Sequence, residues 1–163
     1  MKVRQLYSVD MDQMMIRKFR EEDLTSILGE IEPGQEKRHI KTAEARNKYG
    51  PAFTFLYCGK TIACAGVTIY WKGMGEVWLA TSVNWKDFKK EAVIWARDVL
   101  DYLQDNWMLR RIQADVDAEN ETAQRFIEHY GFVKEGLMRK YDSLGRDMLR
   151  YARIREDWNG KPC

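Results

Sequence analysis

Very little in this sequence points to a metal, a membrane or an oxidising compartment. There are three cysteines, Cys58, Cys64 and Cys163, an odd number without paired spacing. That argues against a disulfide framework and for reduced thiols in a cytosolic setting. The two histidines, His39 and His129, form no familiar zinc spacing with those cysteines, so no metal site is expected. No apolar run approaches the ~20 residues that a bilayer span requires. Asp10 and Asp12 interrupt the N-terminal stretch, which therefore does not read as a secretory signal. Internal repeats and low-complexity linkers are absent. An excess of one charge is missing too. The 27 basic and 25 acidic residues leave a net +2, too balanced to argue for nucleic acid or an anionic membrane as a partner. Glycine is unevenly spread, with none between Gly75 and Gly131.

What is present suits one domain. A chain of 163 residues can bury a sizeable core, and 45% hydrophobic with 32% charged residues fits a soluble, cytoplasmic globular protein. The six tryptophans and eight methionines are assigned to that core and to a partner surface. Oligomeric state stays open between monomer and homodimer.

The most informative stretch runs from Arg111 to Phe132. Ile112, Ala114 and Val116 alternate, which predicts a strand with one buried face. Asn120 can cap the helix that follows. Ala123, Phe126, Ile127 and Tyr130 share one face of that helix, with Tyr130 read as core. Gly131 stands where a left-handed cap belongs, and Phe132 opens a new extended run.

Upstream, Met15 to Leu24 reads as a first strand leading into a helix over about 22–30. A competing frame takes Val3-Arg4 as that strand and Asp10 as the helix cap. Under the favoured frame, residues 1–12 are an appendage. Pro33-Gly34 ends the first helix, and a polar second helix spans about 35–49, closed by Gly50-Pro51. Strands follow at 53–57, 61–71 and 76–82, the first two joined by a tight Gly59-Lys60 turn. Residues 87–106 form a long amphipathic helix with Phe88, Ala92, Trp95, Ala96, Val99 and Leu103 inward.

The stretch Asn120, Ala123, Phe126, Gly131, Phe132 resembles the late motif of the GNAT superfamily of N-acetyltransferases. The tail from Glu135 to Tyr141 and Gly145 to Arg153 is similar to that family's last hairpin. The order of elements agrees over nearly the whole chain. The resemblance implies an α/β (α+β) fold: a mixed, mostly antiparallel sheet of six or seven strands flanked by about four helices.

It also implies a cofactor, acetyl-CoA, between the fourth and fifth strands, with its pyrophosphate on a helix N-terminus. The backbone of Leu79, Ala80, Thr81, Ser82 and Val83 would hold the pantetheine arm, and Asn120 would touch it. The family's glycine-bearing phosphate loop falls on Phe88 to Val93, where Glu91 and Val93 replace the glycines. Two readings stay open there. Lys86, Lys89 and Lys90 supply charge in place of close backbone approach, or the fold is kept and catalysis is lost. The family's usual tyrosine acid corresponds to Ile127. For a base near strand four, Glu76 is the first candidate and Asp117 the second. The acceptor is an amine, on a small molecule or a protein.

Glu76 to Ser82, centred on Trp78, Thr81 and Ser82, is also similar to small GNAT-like proteins of tailed, T7-like bacteriophages. That likeness implies the alternative function, an inactive GNAT-fold phage protein with a virion or host partner.

Overall fold

The computed structural model describes residues 14–28, 48–82 and 89–156. Along them run strand β1 (Met14–Lys18), helix α1 (Glu21–Leu28), strands β2 (Ala52–Tyr57), β3 (Lys60–Trp71) and β4 (Met74–Thr81), and helix α2 (Lys89–Asn106). Strand β5 (Arg111–Asp117), helix α3 (Glu121–His129) and strands β6 (Val133–Met138) and β7 (Met148–Ile154) complete the order. The strands make one seven-stranded sheet in the order β1-β2-β3-β4-β5-β7-β6. β1 with β2, β2 with β3, β5 with β7 and β6 with β7 pair antiparallel, whereas β4 and β5, joined by the long helical crossover, pair parallel. The mixed, mostly antiparallel sheet is as expected. Three helices lie among the described residues. The expected second helix and the expected appendage fall largely or wholly outside them.

By packing, the chain divides into two units, Met1–Ile69 with Trp78–Asp98, and Tyr70–Val77 with Val99–Cys163. In the first, β1 starts as the favoured frame predicts. Its core is Phe19, Leu24, Ile27, Ala52 and Cys64, with Trp78 and Ala80 packed against it. Phe19 meets the edge of Trp78 at 5.6 Å between ring centroids. Asp23 is buried and fully engaged. It pairs with Arg17 and accepts from the Thr54 hydroxyl at 2.6 Å and the Arg20 amide at 3.1 Å. A charge can sit in that interior only because each of these partners is present. The β2–β3 turn corrects the sequence reading by one residue. Tyr57 pairs with Lys60, so the central residues are Cys58 and Gly59, at φ 48° and 74°. Two positive φ values match the twist of a two-residue hairpin, and Lys60 already belongs to the strand.

In the second unit, Ile112, Ala114 and Val116 are buried as their alternation predicts. Asn120 caps α3 by accepting from the Ala123 amide at 3.0 Å. Gly131 follows at φ 81°. Tyr130 is core, its ring set edge-on to Phe126 at 5.0 Å. Leu103, Leu109, Ile112 and Tyr151 are almost completely buried. The Tyr151 hydroxyl, deep in that core, donates to Glu128 at 2.9 Å, which satisfies it. β6 lies at the sheet edge. A register shift between Lys134 and Gly136, and the charges of Lys134 and Glu135, blunt that edge.

Candidate functional site

The parallel ladder between β4 and β5 is short. It pairs Met74 with Arg111, Gly75 with Ile112 and Glu76 with Gln113, and there it stops. Glu76 therefore stands at the last rung. Its Oε2 accepts from Gln113 Nε2 at 3.0 Å, so the two residues of that rung are joined by their side chains as well.

Register brings further groups to the same face. The Ser82 amide donates to the Ile62 carbonyl at 2.9 Å. Tyr70, near the end of β3, hydrogen-bonds to Glu76 through its phenol. On β5, side chains two apart share a face, so Asp115 follows Gln113. Asp115 lies opposite Arg150 of β7. The Arg150 Nε sits 2.5 Å from Asp115 Oδ1, and Nη2 donates to Oδ2 at 3.0 Å. Its Nη1 is 4.0 Å from Glu76 Oε2. Arg150 Nη2 also reaches the Tyr141 oxygen at 3.3 Å, and the guanidinium lies 5.9 Å from that ring's centre.

Two carboxylates thus share one guanidinium in a half-buried setting. Burial, then the charge of Glu76, pushes the Asp115 carboxyl up, against the opposing pull of Arg150 and Tyr141. Burial, then Glu76 through its charge and a hydrogen bond, pushes the Tyr70 phenol up to about 12. Tyr70 is therefore a hydrogen-bond donor throughout the neutral range. The arrangement can accept a proton at Glu76 and hold a cation beside it.

The other candidates fall elsewhere. Asp117 lies on the same face of β5 but serves the turns: Oδ1 accepts from the Glu119 amide at 2.9 Å and Oδ2 from Arg146 Nη1 at 2.7 Å. Arg146 is pinned in turn by Asp142 at 2.7 Å. The Asn120 oxygen is engaged in its cap. Leu79 and Thr81 are exposed on β4, and Ala80 packs on the core of the first unit. The Ser82 amide is committed to β3, while its hydroxyl oxygen is buried without a partner among the described residues. Lys89 and Lys90 are the first two residues of α2. Val83 and Lys86 lie outside the described residues, as do Trp85 and Phe88.

No family model matches the sequence, and no curated protein matches it. Solved structures do. A ribosomal-protein-S5-alanine acetyltransferase from Vibrio fischeri superposes with a TM-score of 0.70 at 19% identity, covering 94% of this chain and 98% of that one. A chimera of the Vibrio cholerae spermidine N-acetyltransferase gives 0.69 at 19%, covering 92% and 100%. A GNAT-family acetyltransferase from Bacillus anthracis gives 0.66 at 20%, covering 88% and 95%. The fold is the GNAT fold.

On the GNAT fold, the last rung of β4 and β5 carries Glu76, the first of the two bases expected from sequence. Asp115, Gln113, Arg150, Tyr70 and Tyr141 escaped that reading. A signal for Asp115 existed. It shares the face of Gln113 and Asp117 on an alternating strand, and its neighbour on a paired strand is an arginine. Finding it required the register of β7, which local pattern does not supply. Among the described residues, no helix is long and apolar enough to cross a membrane.

Proposed function

We propose that the chain, taken as one GNAT-like domain over residues 1–163, is an N-acyltransferase that moves an acetyl group from acetyl-CoA to an amine. The observation that carries the reading is Glu76 at the last rung of the β4–β5 ladder in a GNAT fold. The similar structures, a ribosomal-protein-S5-alanine acetyltransferase and a spermidine N-acetyltransferase chimera, support it.

The residues of β4 suit the pantetheine arm. Ser82 hydrogen-bonds toward β3, so by alternation the amides and carbonyls of Val77, Leu79 and Thr81 point to the opposite edge. The orphaned Ser82 hydroxyl is a further polar group suited to a ligand there. Lys89 and Lys90, in the first turn of α2, would favour a phosphate as point charges, with Lys86 as the third member of that set. When bound, acetyl-CoA supplies the activated acyl group. Glu76 takes the proton from the acceptor ammonium at its carboxylate. Gln113 and Tyr70 hold that carboxylate in place by donating to it. The acceptor is an amine of a small molecule or a protein.

A thermal shift with acetyl-CoA, followed by a thiol-release assay over a panel of amines, tests the proposal. Ligand at about a hundred times its dissociation constant stabilises by ~2.7 kcal/mol. An unmoved melting temperature at millimolar acetyl-CoA would overturn the enzyme reading. It would leave a GNAT fold used for binding alone, as the likeness to phage proteins implies. If the shift appears, its loss in a Lys86, Lys89, Lys90 triple alanine supports charge substitution at the phosphate, and an unchanged shift refutes it.

A further inference from the structure

Arg150 stands between two carboxylates and is not shared equally. It touches Asp115 through two nitrogens, at 2.5 and 3.0 Å, while its closest approach to Glu76 is 4.0 Å. Tyr141 and the Met138 sulfur, 3.3 Å from Nη2 in each case, flank the guanidinium and brace it on the Asp115 side. We infer that Asp115 is a positioning residue: it holds Arg150 away from Glu76 and so leaves the Glu76 carboxylate free to take a proton.

The inference rests on the reading of Glu76 as the base, and its physics is electrostatic. A guanidinium in bidentate contact with a carboxylate favours the ionised form and occupies the lone pairs that a proton needs. A base paired in that way is a weak one. In this chain Asp115 takes the close ion pair instead, with Nη2 donating to Oδ2 and Nε near Oδ1 but not hydrogen-bonded to it. Its cross-strand register places it directly opposite Arg150, and Glu76 lies one strand further away. Arg150 is about four-fifths buried, so its charge is poorly screened and its direction matters. Among the described residues, the charged, titratable and polar groups around Glu76 are Tyr70 on β3, Gln113 and Asp115 on β5 and Arg150 on β7, with Tyr141 on the β6–β7 connection beside Tyr70 and Arg150. Only Arg150 among them is a cation. Asp115 is the anion that competes with Glu76 for it most directly, and Glu135 on β6 adds a weaker pull on the same guanidinium.

Removing the charge of Asp115 therefore acts on Glu76 twice in one direction. Arg150 is released to pair with Glu76, and a nearby negative charge disappears. Both favour the ionised form of Glu76, so its titration moves to lower pH. The experiment compares wild type with Asp115→Asn, Asp115→Glu and Arg150→Gln in two readouts. One is the pH dependence of kcat/KM for acetyl transfer. The other is the titration of the Glu76 carboxyl carbon by NMR in the free protein, which needs no activity. Asp115→Asn is expected to move the acid limb and the Glu76 midpoint down by about one pH unit. It should also lower kcat/KM at neutral pH, by at most about tenfold, through the weaker base. Asp115→Glu restores the charge and returns both readouts toward wild type. Arg150→Gln moves the midpoint up, and adding Asp115→Asn to it produces a much smaller downward shift than in wild type. A Glu76 midpoint unmoved by Asp115→Asn in a folded protein would overturn the inference. So would an equal shift in the Arg150→Gln background. An inactive wild type whose Glu76 midpoint nevertheless moves as described would overturn the proposed function and leave this electrostatic device standing.

Discussion

Replacing Glu76 by glutamine separates the two carboxylates that the sequence offered as bases. The amide keeps the size of the side chain and an oxygen that accepts from Gln113 Nε2, now 3.0 Å from Oε2. What it removes is the capacity to take a proton. A positioned general base contributes about 10²–10⁴-fold, or ~2.7–5.4 kcal/mol at 1.36 kcal/mol per tenfold. The loss should fall on kcat, with the acetyl-CoA-induced thermal shift intact, because no β4 backbone group is altered. Asp117→Asn is the matched control. Its carboxylate is tied to Arg146 at 2.7 Å and to the Glu119 amide, and that ion pair is exposed on the arginine side. An exposed pair contributes ~0–1 kcal/mol to stability, and the rate should stay within about threefold of wild type. Thiol release from acetyl-CoA, followed at saturating amine across pH, measures both variants. If Glu76→Gln keeps the wild-type rate, or Asp117→Asn loses as much as Glu76→Gln does, the assignment of the base is wrong.

Other perturbations test the fold around the site. Asp23→Ala leaves the buried Thr54 hydroxyl and the Arg17 guanidinium without their carboxylate; urea unfolding should show a loss of about 3–5 kcal/mol. Gly66→Ala places a methyl 2.6 Å from the Pro51 carbonyl oxygen and 2.9 Å from the Ala52 Cα, both backbone atoms. The same measurement should register a loss of about 1–3 kcal/mol from overpacking. The Asp142 carboxyl is held below the usual carboxylate range, first by the Arg146 amide and then by the Arg146 side chain and the Leu144 amide. A depressed carboxyl stabilises above its unfolded pKa, and that contribution is lost as pH falls through its folded one. Amide exchange in the β6–β7 connection, corrected for intrinsic rates, should therefore accelerate below pH 4 in wild type, and an Asp142→Asn variant should lose that dependence.

Local chemistry made much of this molecule readable in advance. The alternation of Ile112, Ala114 and Val116, the Asn120 cap and the Gly131 stop depend on neighbours a few residues apart, and each is found as read. Local pattern sets the β2–β3 turn one residue late, with glycine as its first central residue. In fact Cys58 adopts the left-handed conformation as well, which residue type alone argues against. The site divides in the same way. Glu76 was visible as a carboxylate at a strand start. Its company was not: Arg150 is 74 positions away in sequence, and Asp115 meets it only through the β5–β7 register. Asp117 stands out in sequence because it ends its strand, yet strand ends are also where side chains are needed to secure turns.

The second unit is discontinuous, and this limits how the protein can be cut or borrowed from. A fragment starting at Val99 would retain β5, α3, β6 and β7 but would lack the Met74–Glu76 rungs, which arrive on a hairpin from far upstream. Such a piece would keep Asp115 and Arg150 paired with each other and carry no proton acceptor. Transplanting the late motif into another scaffold would move Asp115 and Arg150 without Glu76, whereas a split-protein reporter cut between that hairpin and Val99 would bring the three together only on reassembly.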